Sequence, residues 1–288
     1  MKNFSIAIAF LASSCMIVSR PVPPAPMPAA VPAVSPCNAG QQILNATLWM
    51  ETSAEYRAST TQTYATARRM LDAALADSTW TALPATAGAA GLPPAIILDL
   101  DETAIDNLTF ESRVIRDAKA YDAGAWNRWV SESAALAIPG AAEFLAYARS
   151  RGVTPFYVTN RDADQEAATR ANLEKLGYPL SATEDTLLLR GERPEWKSSD
   201  KTPRRDFVAS AHRVLMLFGD DLNDFTLAAG KTRAERDAIV NAHASDWGRM
   251  WFILPNPIYG SWERAATGDT RGLSDCQQLQ RKVESLRP

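Results

Sequence analysis

Two short acidic clusters contain the residues best suited to chemistry. Asp99 and Asp101 follow the apolar run at 95–98, and three further aspartates lie in the segment 220–224, after the apolar run at 214–218. Residues at positions i and i+2 that leave a strand point to the same side. Clustered carboxylates repel one another unless a cation offsets their charge, and oxygen ligands of this kind suit Mg²⁺. Taken alone, an Asp-x-Asp pair is more typical of a solvated loop or a helix cap.

Three further residues have the character of a phosphate site. Thr159 and Asn160 end a third apolar run, and Lys201 precedes a segment with helical spacing. Each of them, by itself, is typical of an ordinary strand end or a surface charge. Together with the acidic clusters, however, they all follow a strand or begin a helix in one order along the chain. In an open α/β sheet the binding site lies beyond the carboxyl ends of the strands, so we expect these side chains to meet there.

The elements that would position these residues alternate along the chain. Short apolar runs predict strands that are buried on both faces, and stretches with apolar residues at helical spacing separate them. This alternation predicts an α/β fold, a doubly wound and Rossmann-like parallel sheet with right-handed crossovers. The strands are expected at 95–98, 153–158, 186–189, 214–218 and 251–254, and the helices at 41–76 (as one helix or two), 140–151, 165–176, 204–211 and 234–242.

Composition excludes several classes of protein. The chain of 288 residues is 46% hydrophobic and 22% charged, which is typical of a globular protein rather than a disordered or fibrous one. Its 30 basic and 33 acidic residues give a net charge of −3, so a nucleic-acid polymer is not expected as a partner. Two histidines and three cysteines without paired spacing exclude a histidine-rich metal site and a zinc site.

The N-terminus has the features of an exported protein. Residues 1–14 contain a lysine followed by a short apolar stretch, as in a signal peptide, and residues 15–36 form a proline-rich tether. The segment that ends at Cys15 resembles a bacterial lipoprotein signal in which this cysteine is lipidated and anchors the protein in the membrane; ordinary signal cleavage is the alternative. We therefore expect an outer-membrane lipoprotein, or a periplasmic protein if there is no lipid. If lipid occupies Cys15, Cys37 and Cys276 remain as an even pair. Because export permits disulfides, they are then predicted to be bonded to each other, with two free thiols as the alternative.

These motifs together resemble those of the haloacid dehalogenase (HAD) superfamily of phosphohydrolases. The resemblance rests on Asp99-Leu-Asp-Glu-Thr, Val158-Thr-Asn-Arg, Lys201 and Gly219-Asp-x-x-x-Asp224. Within the superfamily, the chain is similar to the class C acid phosphatase branch, which includes outer-membrane lipoprotein 5′-nucleotidases. This closer resemblance covers roughly residues 41–263 and rests on Asp106-Asn107, Trp126-Asn-Arg-Trp129-Val and the segment 252–263.

The resemblance implies a mechanism for hydrolysing phosphate monoesters. Asp99 would be the nucleophile that forms an aspartyl-phosphate, and Asp101 would protonate the leaving alcohol and then activate water. Thr159 would donate a hydrogen bond to the phosphoryl group. Lys201 would neutralise charge there and position the nucleophile.

The resemblance also implies a bound Mg²⁺. Its ligands would be the side chains of Asp99 and Asp220 and the main-chain carbonyl of Asp101. Asp224 and Asn160 would not bind the cation themselves but would help to orient the groups around it. The cation would allow a carboxylate to approach a phosphate dianion.

Substrate selection is expected to lie outside this set. The helices at about 40–80 and the insertion at about 104–138 are predicted to form a small, mostly helical cap on the phosphatase domain of residues 37–288. The family resemblance implies that Trp126, in the insertion, and Tyr259, in a late loop, sandwich an aromatic leaving group such as a nucleobase. The alternative for Trp126 is a residue in the core of the cap.

The predicted activity is hydrolysis of nucleoside 5′-monophosphates and small aromatic phosphates, as in an acid phosphatase or a 5′-nucleotidase. Two alternatives are a phosphotransferase with the same intermediate and a non-catalytic surface protein that binds a ligand on the same fold. The sequence leaves the oligomeric state open, with a dimer among the options.

Overall fold

The structure is a computed structural model that describes residues 37–83 and 89–287, all within one compact unit. The predicted signal peptide, Cys15 and the tether lie outside the described residues. In the part of the chain that is described, no helix combines the length and the hydropathy that crossing a membrane requires.

The helices are α1 (Ala39–Gln42), α2 (Leu44–Thr52), α3 (Ala54–Ala76), α4 (Leu108–Arg116), α5 (Ala123–Glu132), α6 (Ala141–Ser150), α7 (Glu166–Lys175), α8 (Thr202–Ala211), α9 (Arg233–Ala242), α10 (Ser261–Thr267) and α11 (Asp275–Glu284). The strands are β1 (Pro94–Leu98), β2 (Ile105–Asp106), β3 (Leu136–Ala137), β4 (Thr154–Asp162), β5 (Leu187–Arg190), β6 (Arg213–Gly219) and β7 (Trp251–Ile253).

A parallel sheet with the strand order β5-β4-β1-β6-β7 forms the centre of the fold, and β2 and β3 form a separate antiparallel pair. The chain moves outward from β1 to β4 and β5, then crosses to the other side of β1 for β6 and β7, so the sheet is doubly wound. All the predicted strands are present, with ends that differ by a few residues. The predicted α/β fold with a parallel sheet is confirmed.

Both faces of the sheet are buried, as its continuous apolar strands require. In β1, Ile96 and Leu98 belong to one hydrophobic cluster, which also contains buried residues of α3, α6 and α7. Ala95 and Ile97 belong to a second cluster, with Val208 of α8. Successive residues of a strand point to opposite faces, so a single strand contributes to both layers of the core. Burying an aliphatic side chain of this size contributes roughly 1.5–3 kcal/mol.

The helical region predicted at 41–76 contains two longer helices, α2 and α3, after the single turn α1. They separate at Ser53, whose backbone is extended and whose hydroxyl accepts a hydrogen bond from the backbone N–H of Tyr56 at 3.0 Å. Such a cap satisfies an N–H group at the start of a helix. Helix α3 then packs against α6 and the sheet, where Tyr64 stacks on Phe218, whereas α1 and α2 contact α4.

A disulfide bond joins the two ends of the described chain. It links Cys37 to Cys276, whose Cα atoms are 4.7 Å apart although the residues are separated by 239 positions in the sequence. Beside it, the side-chain amide of Gln42 donates hydrogen bonds to the carbonyl groups of Cys37 and Asp275, each at 3.0 Å. Covalent and polar contacts therefore fasten α1 to α11.

Candidate active site

The adjacent strands β1 and β6 bring the two acidic clusters together. Asp99 directly follows β1, and its backbone N–H donates a hydrogen bond to the carbonyl of Phe218 in β6 at 3.0 Å. Asp220 directly follows β6. As a result, Asp99, Asp220 and Asp224 each place one carboxylate oxygen within 4.8 Å of the others. The three carboxylates thus lie together at the carboxyl end of the sheet and form an acidic site.

Lys201, which precedes α8, links two of these carboxylates. Its ammonium group is buried and donates hydrogen bonds to Asp99 and, at 2.7 Å, to Asp224. Burial by itself lowers the pKa of Lys201, but the carboxylates of Asp224 and Asp99 raise it above its ordinary value, so the side chain is cationic. Asp224 can approach this closely because residue 219 is glycine: a Cβ atom on Gly219 would lie 2.2 Å from the Cβ of Asp224.

Asp220 is oriented by two neutral donors. The hydroxyl of Thr103 donates to one of its oxygens at 3.2 Å, and the amide of Asn256 donates to the other at 2.8 Å. Burial raises the pKa of Asp220 well above its ordinary value, and repulsion from Asp224 and Asp99 acts in the same direction. Among the residues that the structure describes, no positively charged group forms an ion pair with this carboxylate, so the two neutral donors hold it in place.

The donor set fits a hard divalent cation. Burial raises the pKa of Asp99 to about 7; the attraction of Lys201 opposes this shift, and repulsion from Asp224 and Asp101 adds to it. One lysine thus does not neutralise the clustered carboxylates. Oxygen ligands with excess negative charge are what Mg²⁺ prefers, and a cation beside Asp99 and Asp220 would offset their repulsion.

Asp101 is held by a buried arginine. The Nε atom of Arg161 lies 3.1 and 3.2 Å from the two oxygens of Asp101, and Nη2 lies 2.8 Å from one of them. The side-chain amide of Asn107 donates to the same carboxylate at 2.9 Å. The guanidinium group of Arg161 also lies 5.4 Å from the ring centroid of Trp126. Charge-assisted forks of this kind fix both the position and the orientation of a carboxylate.

Thr159 and Asn160 lie near the end of β4 but face different surroundings. Thr159 is completely buried, and its hydroxyl accepts a hydrogen bond from the backbone N–H of Arg161 at 3.1 Å. Asn160 lines the cavity that adjoins the acidic site. Its side chain accepts a hydrogen bond from Arg204 at 2.7 Å and donates one to the carbonyl of Ser199 at 3.1 Å. Asn160 thereby connects β4 to the segment that carries Lys201.

The acidic site opens into a cavity of about 780 Å³. The lining includes Asp99 together with the aromatic residues Phe110, Trp126 and Tyr259. Trp126 is half-buried and meets Phe110 edge-on, with ring centroids 5.2 Å apart. Tyr259 is 37% exposed. The two aromatic residues singled out from the sequence therefore line the same cavity as the acidic site.

Glu102 connects the acidic loop to Tyr259. Its side chain is completely buried and accepts a hydrogen bond from the hydroxyl of Tyr259 and another from the backbone N–H of Asn107, the latter at 3.0 Å. Burial, followed by repulsion from Asp101 and Asp220, raises the pKa of Glu102 well above its ordinary value. Its backbone has a φ of +58°, in the left-handed region. This contact fixes the Tyr259 hydroxyl, so the exposed part of its ring is held in the cavity wall.

Four residues of the site were assigned no role from the sequence: Glu102, Asn107, Arg161 and Asn256. A signal for Arg161 was present, because it stands two positions after Thr159 at a strand end, the same spacing that relates Asp101 to Asp99. Asn256 lies between two prolines in a loop, where nothing in the local pattern points to a partner. Asn107 also accepts a hydrogen bond from the indole of the buried Trp129 at 2.8 Å, so Trp129 supports the site from within the protein.

A family profile and two solved structures indicate the same family. The sequence profile of the HAD superfamily, subfamily IIIB (Acid phosphatase), matches residues 27–262. The structure is similar to that of the class C acid phosphatase from Bacillus anthracis, with a TM-score of 0.77 and 35% sequence identity over 87% of this chain and 99% of that chain. The crystal structure of that phosphatase with tungstate bound also gives a TM-score of 0.77 and 35% identity, over 88% of this chain and 99% of that one. The 28 kDa and 31 kDa stem glycoproteins of Glycine max are 23% and 24% identical over 57% of this chain, and the match spans 58% of their own length.

Proposed function

The chain belongs to the HAD superfamily, subfamily IIIB, a family of acid phosphatases, and on that premise we propose that it hydrolyses phosphate monoesters with Asp99 as the nucleophile. The family predicted from the sequence motifs is thus confirmed. The observation that carries the proposed mechanism is the position of Asp99, which lines the cavity, accepts a hydrogen bond from Lys201 and lies beside Asp220.

In the proposed reaction, a carboxylate oxygen of Asp99 attacks phosphorus while the bond from phosphorus to the leaving oxygen breaks. Asp101 donates a proton to that oxygen, and the product alcohol departs. Water then attacks the aspartyl-phosphate, Asp101 accepts a proton from it, and phosphate leaves with Asp99 regenerated. Lys201 would offset the charge of the phosphoryl group, and Arg161 would hold Asp101 at the leaving oxygen.

A divalent cation, which we take to be Mg²⁺, would be held by the carboxylates of Asp99 and Asp220 and by the main-chain carbonyl of Asp101. When bound, it would supply the positive charge that lets a carboxylate approach a phosphate dianion. Asp224 is less suited to a direct role, because one of its oxygens accepts from Lys201 and the other from the backbone N–H of Asp221 at 3.0 Å. Its proposed role is to position Lys201.

We further propose that the substrates are nucleoside 5′-monophosphates and small aromatic phosphates, since Trp126 and Tyr259 line the cavity beside the acidic site. Of the helices in the predicted cap segments, α1, α2, α4 and α5 would form the cap over the cavity, whereas α3 packs against α6 and the sheet. Export and lipidation of Cys15 stay predictions from the sequence, as does the outer-membrane location.

The test is an assay of the full chain on p-nitrophenyl phosphate with Mg²⁺. Asp99→Asn should abolish turnover without changing the circular dichroism spectrum, whereas Asp164→Asn, which removes an exposed carboxylate elsewhere, should leave turnover unchanged. Radioactive phosphate should be trapped on the wild-type protein and not on Asp99→Asn. EDTA should stop the reaction and added Mg²⁺ should restore it. Turnover by Asp99→Asn would refute the nucleophile, and turnover that resists the chelator would refute the cation.

A further inference from the structure

Helix α4 presents one acidic side chain to the cavity. Glu111 is only 7% exposed and lines the cavity, together with Phe110 and Val114 of the same helix. Its carboxyl group makes no hydrogen bond and no ion pair with any group in the described ranges 37–83 and 89–287. Its oxygens are not among the fully buried polar atoms that lack a partner, so the carboxyl group is open to the cavity that Glu111 lines.

Packing does not require an acid at this position. Glu111 is three residues from both Leu108 and Val114, so it lies on the buried face of α4 with them. An apolar residue there would be buried without a desolvation cost. Burial raises the pKa of Glu111 to about 7, and repulsion from Glu111 contributes in turn to the raised pKa of the buried Glu102. The helix therefore keeps, on the face that lines the cavity, a carboxyl group whose charged form is disfavoured by burial.

The surroundings of Glu111 indicate what the carboxyl group could bind. The cavity of about 780 Å³ has room for much more than a phosphate group, and the aromatic residues in its wall would accept the face of any planar ring. Stacking on an aromatic face discriminates little between one planar ligand and another. A buried polar group discriminates strongly, because a ligand that offers it no hydrogen bond is bound much less tightly. A carboxyl group without a partner pairs with a hydrogen-bond donor.

We propose that Glu111 is a specificity-determining residue that accepts a hydrogen bond from a donor group, a hydroxyl or an amine, on the leaving group of the substrate. This inference rests on the proposed phosphatase function and adds the part of the substrate that lies beyond the phosphate. Substrates whose leaving group carries such a donor are bound with the carboxyl group paired; substrates without one leave it buried and unpaired.

The experiment measures kcat/KM of the full chain for cytidine 5′-monophosphate, ribose 5-phosphate and phenyl phosphate, the last of which has no donor on its leaving group. In Glu111→Met, the ratio of kcat/KM for cytidine 5′-monophosphate to that for phenyl phosphate should fall on the order of tenfold, mainly through KM for the nucleotide. If the ratio for ribose 5-phosphate falls as well, the donor is a sugar hydroxyl; if only the nucleotide ratio falls, it is on the base. Glu111→Gln, which keeps the acceptor oxygen, should retain most of the selectivity.

The controls separate this inference from a structural effect and from the proposed function. Glu132→Met removes an exposed carboxylate from the neighbouring helix α5 and should leave the ratios unchanged. If circular dichroism shows that the Glu111→Met protein does not fold, the same ratios are measured with Glu111→Ala instead. An unchanged ratio in a folded variant, with the wild type active on all three substrates, would overturn the role of Glu111 alone. A wild type inactive on all three would overturn the phosphatase function, and this inference with it.

Discussion

The charged residues of the site are fixed by specific partners rather than by solvent. Asp101 is paired with Arg161, Lys201 with Asp224, and Asp220 with the amide of Asn256. Each of these pairs is largely buried, so its net contribution to stability is small, but removing one partner would leave the other uncompensated at a cost of about 3–5 kcal/mol for an ion pair. The pairs thus define geometry more than they add stability.

Arg161→Lys should show this distinction. Lysine keeps the charge, but it cannot reproduce the fork that holds the two oxygens of Asp101. We expect kcat on p-nitrophenyl phosphate to fall on the order of 10- to 100-fold, as for other residues that orient a reactive group. The matched control is Arg113→Lys, in which an exposed fork to Glu132 is lost and kcat should not change. Equal kcat values for wild type and Arg161→Lys would show that the fork has no role in the reaction.

The residues that the pattern of strands and helices pointed to share one property: they lie at the end of a strand or the start of a helix. Asp99, Asp220 and Lys201 could be found because the carboxyl ends of parallel strands converge. The contact between Tyr259 and Glu102 could not, because it joins two loops whose approach depends on how the whole sheet twists and packs. The buried Glu102 inside an acidic motif looks, in the sequence, like one more solvated acid.

Among the elements, the loops after β6 and β7 depend on each other. The carboxylate of Asp221 accepts hydrogen bonds from the backbone N–H and the hydroxyl of Ser261, both at 2.6 Å. Within the loop after β7, the side-chain oxygen of Asn256 accepts a hydrogen bond from the backbone N–H of Ile258 at 3.0 Å. The loop after β6 therefore holds the loop that carries Tyr259, and the end of the sheet positions the aromatic wall as well as the acidic site.

Gly219→Ala tests how tightly the end of β6 is packed against the site. The new Cβ would lie 2.2–2.5 Å from side-chain atoms of Asp224, so this side chain must move away from Lys201. We expect a loss of about 1–3 kcal/mol in the free energy of unfolding and a fall in kcat on the order of 100-fold. Urea denaturation and phosphate release would measure the two effects.

Gly91→Ala is the matched control, because a Cβ at Gly91 meets no atom within 4 Å and should change neither quantity. A Gly219→Ala protein with wild-type kcat would mean that Asp224 need not stay beside Lys201.

Strands and helices could be predicted from the sequence where the pattern of residues within one segment is sufficient to define them. The apolar runs predicted all five strands of the sheet, because a strand buried on both faces must be continuously apolar. The separation of α2 from α3 at Ser53 was not resolved from the sequence, since helical spacing continues on both sides of it. The two-residue strands β2 and β3 are too short to leave a pattern and exist only as a pair.

At the scale of the whole molecule, the disulfide closes the chain. It joins α1, which contacts α4, to α11 near the C-terminus, across 239 positions of sequence. A covalent link over so long a segment restricts the unfolded chain strongly, which is one account of why disulfides stabilise proteins. Its main effect is therefore on the free energy of unfolding rather than on the chemistry proposed for Asp99.

Reduction should lower stability. We expect a reductant to decrease the free energy of unfolding of the wild type by roughly 2–4 kcal/mol, measured by urea denaturation. The double variant Cys37→Ser, Cys276→Ser should be destabilised to a similar extent and should no longer respond to the reductant. A variant that still loses stability on reduction would show that the effect arises elsewhere in the chain.

Charge in the site also links the stability of the whole protein to pH and to the cation. Burial raises the pKa of Asp99 to about 7 and that of Asp220 well above its ordinary value, so the cation-free folded protein binds protons more tightly than the unfolded chain does. Stability then falls as the pH rises from about 4 through these raised values. A divalent cation competes with the same protons, so it should stabilise the protein more at high pH than at low pH.

Thermal unfolding of the full chain at about pH 5 and about pH 8, in EDTA and in Mg²⁺, measures this linkage. In EDTA the Tm should be lower at the higher pH, and the increase in Tm on adding Mg²⁺ should be larger there. Asp220→Asn removes one buried charge and one proposed ligand, so its Tm in EDTA at the higher pH should exceed that of the wild type and its response to Mg²⁺ should be small. Asp237→Asn, on α9, should behave like the wild type under all four conditions. If Mg²⁺ raised the Tm of the wild type equally at both pH values, the cation would be bound away from the carboxylates whose protons it is expected to displace.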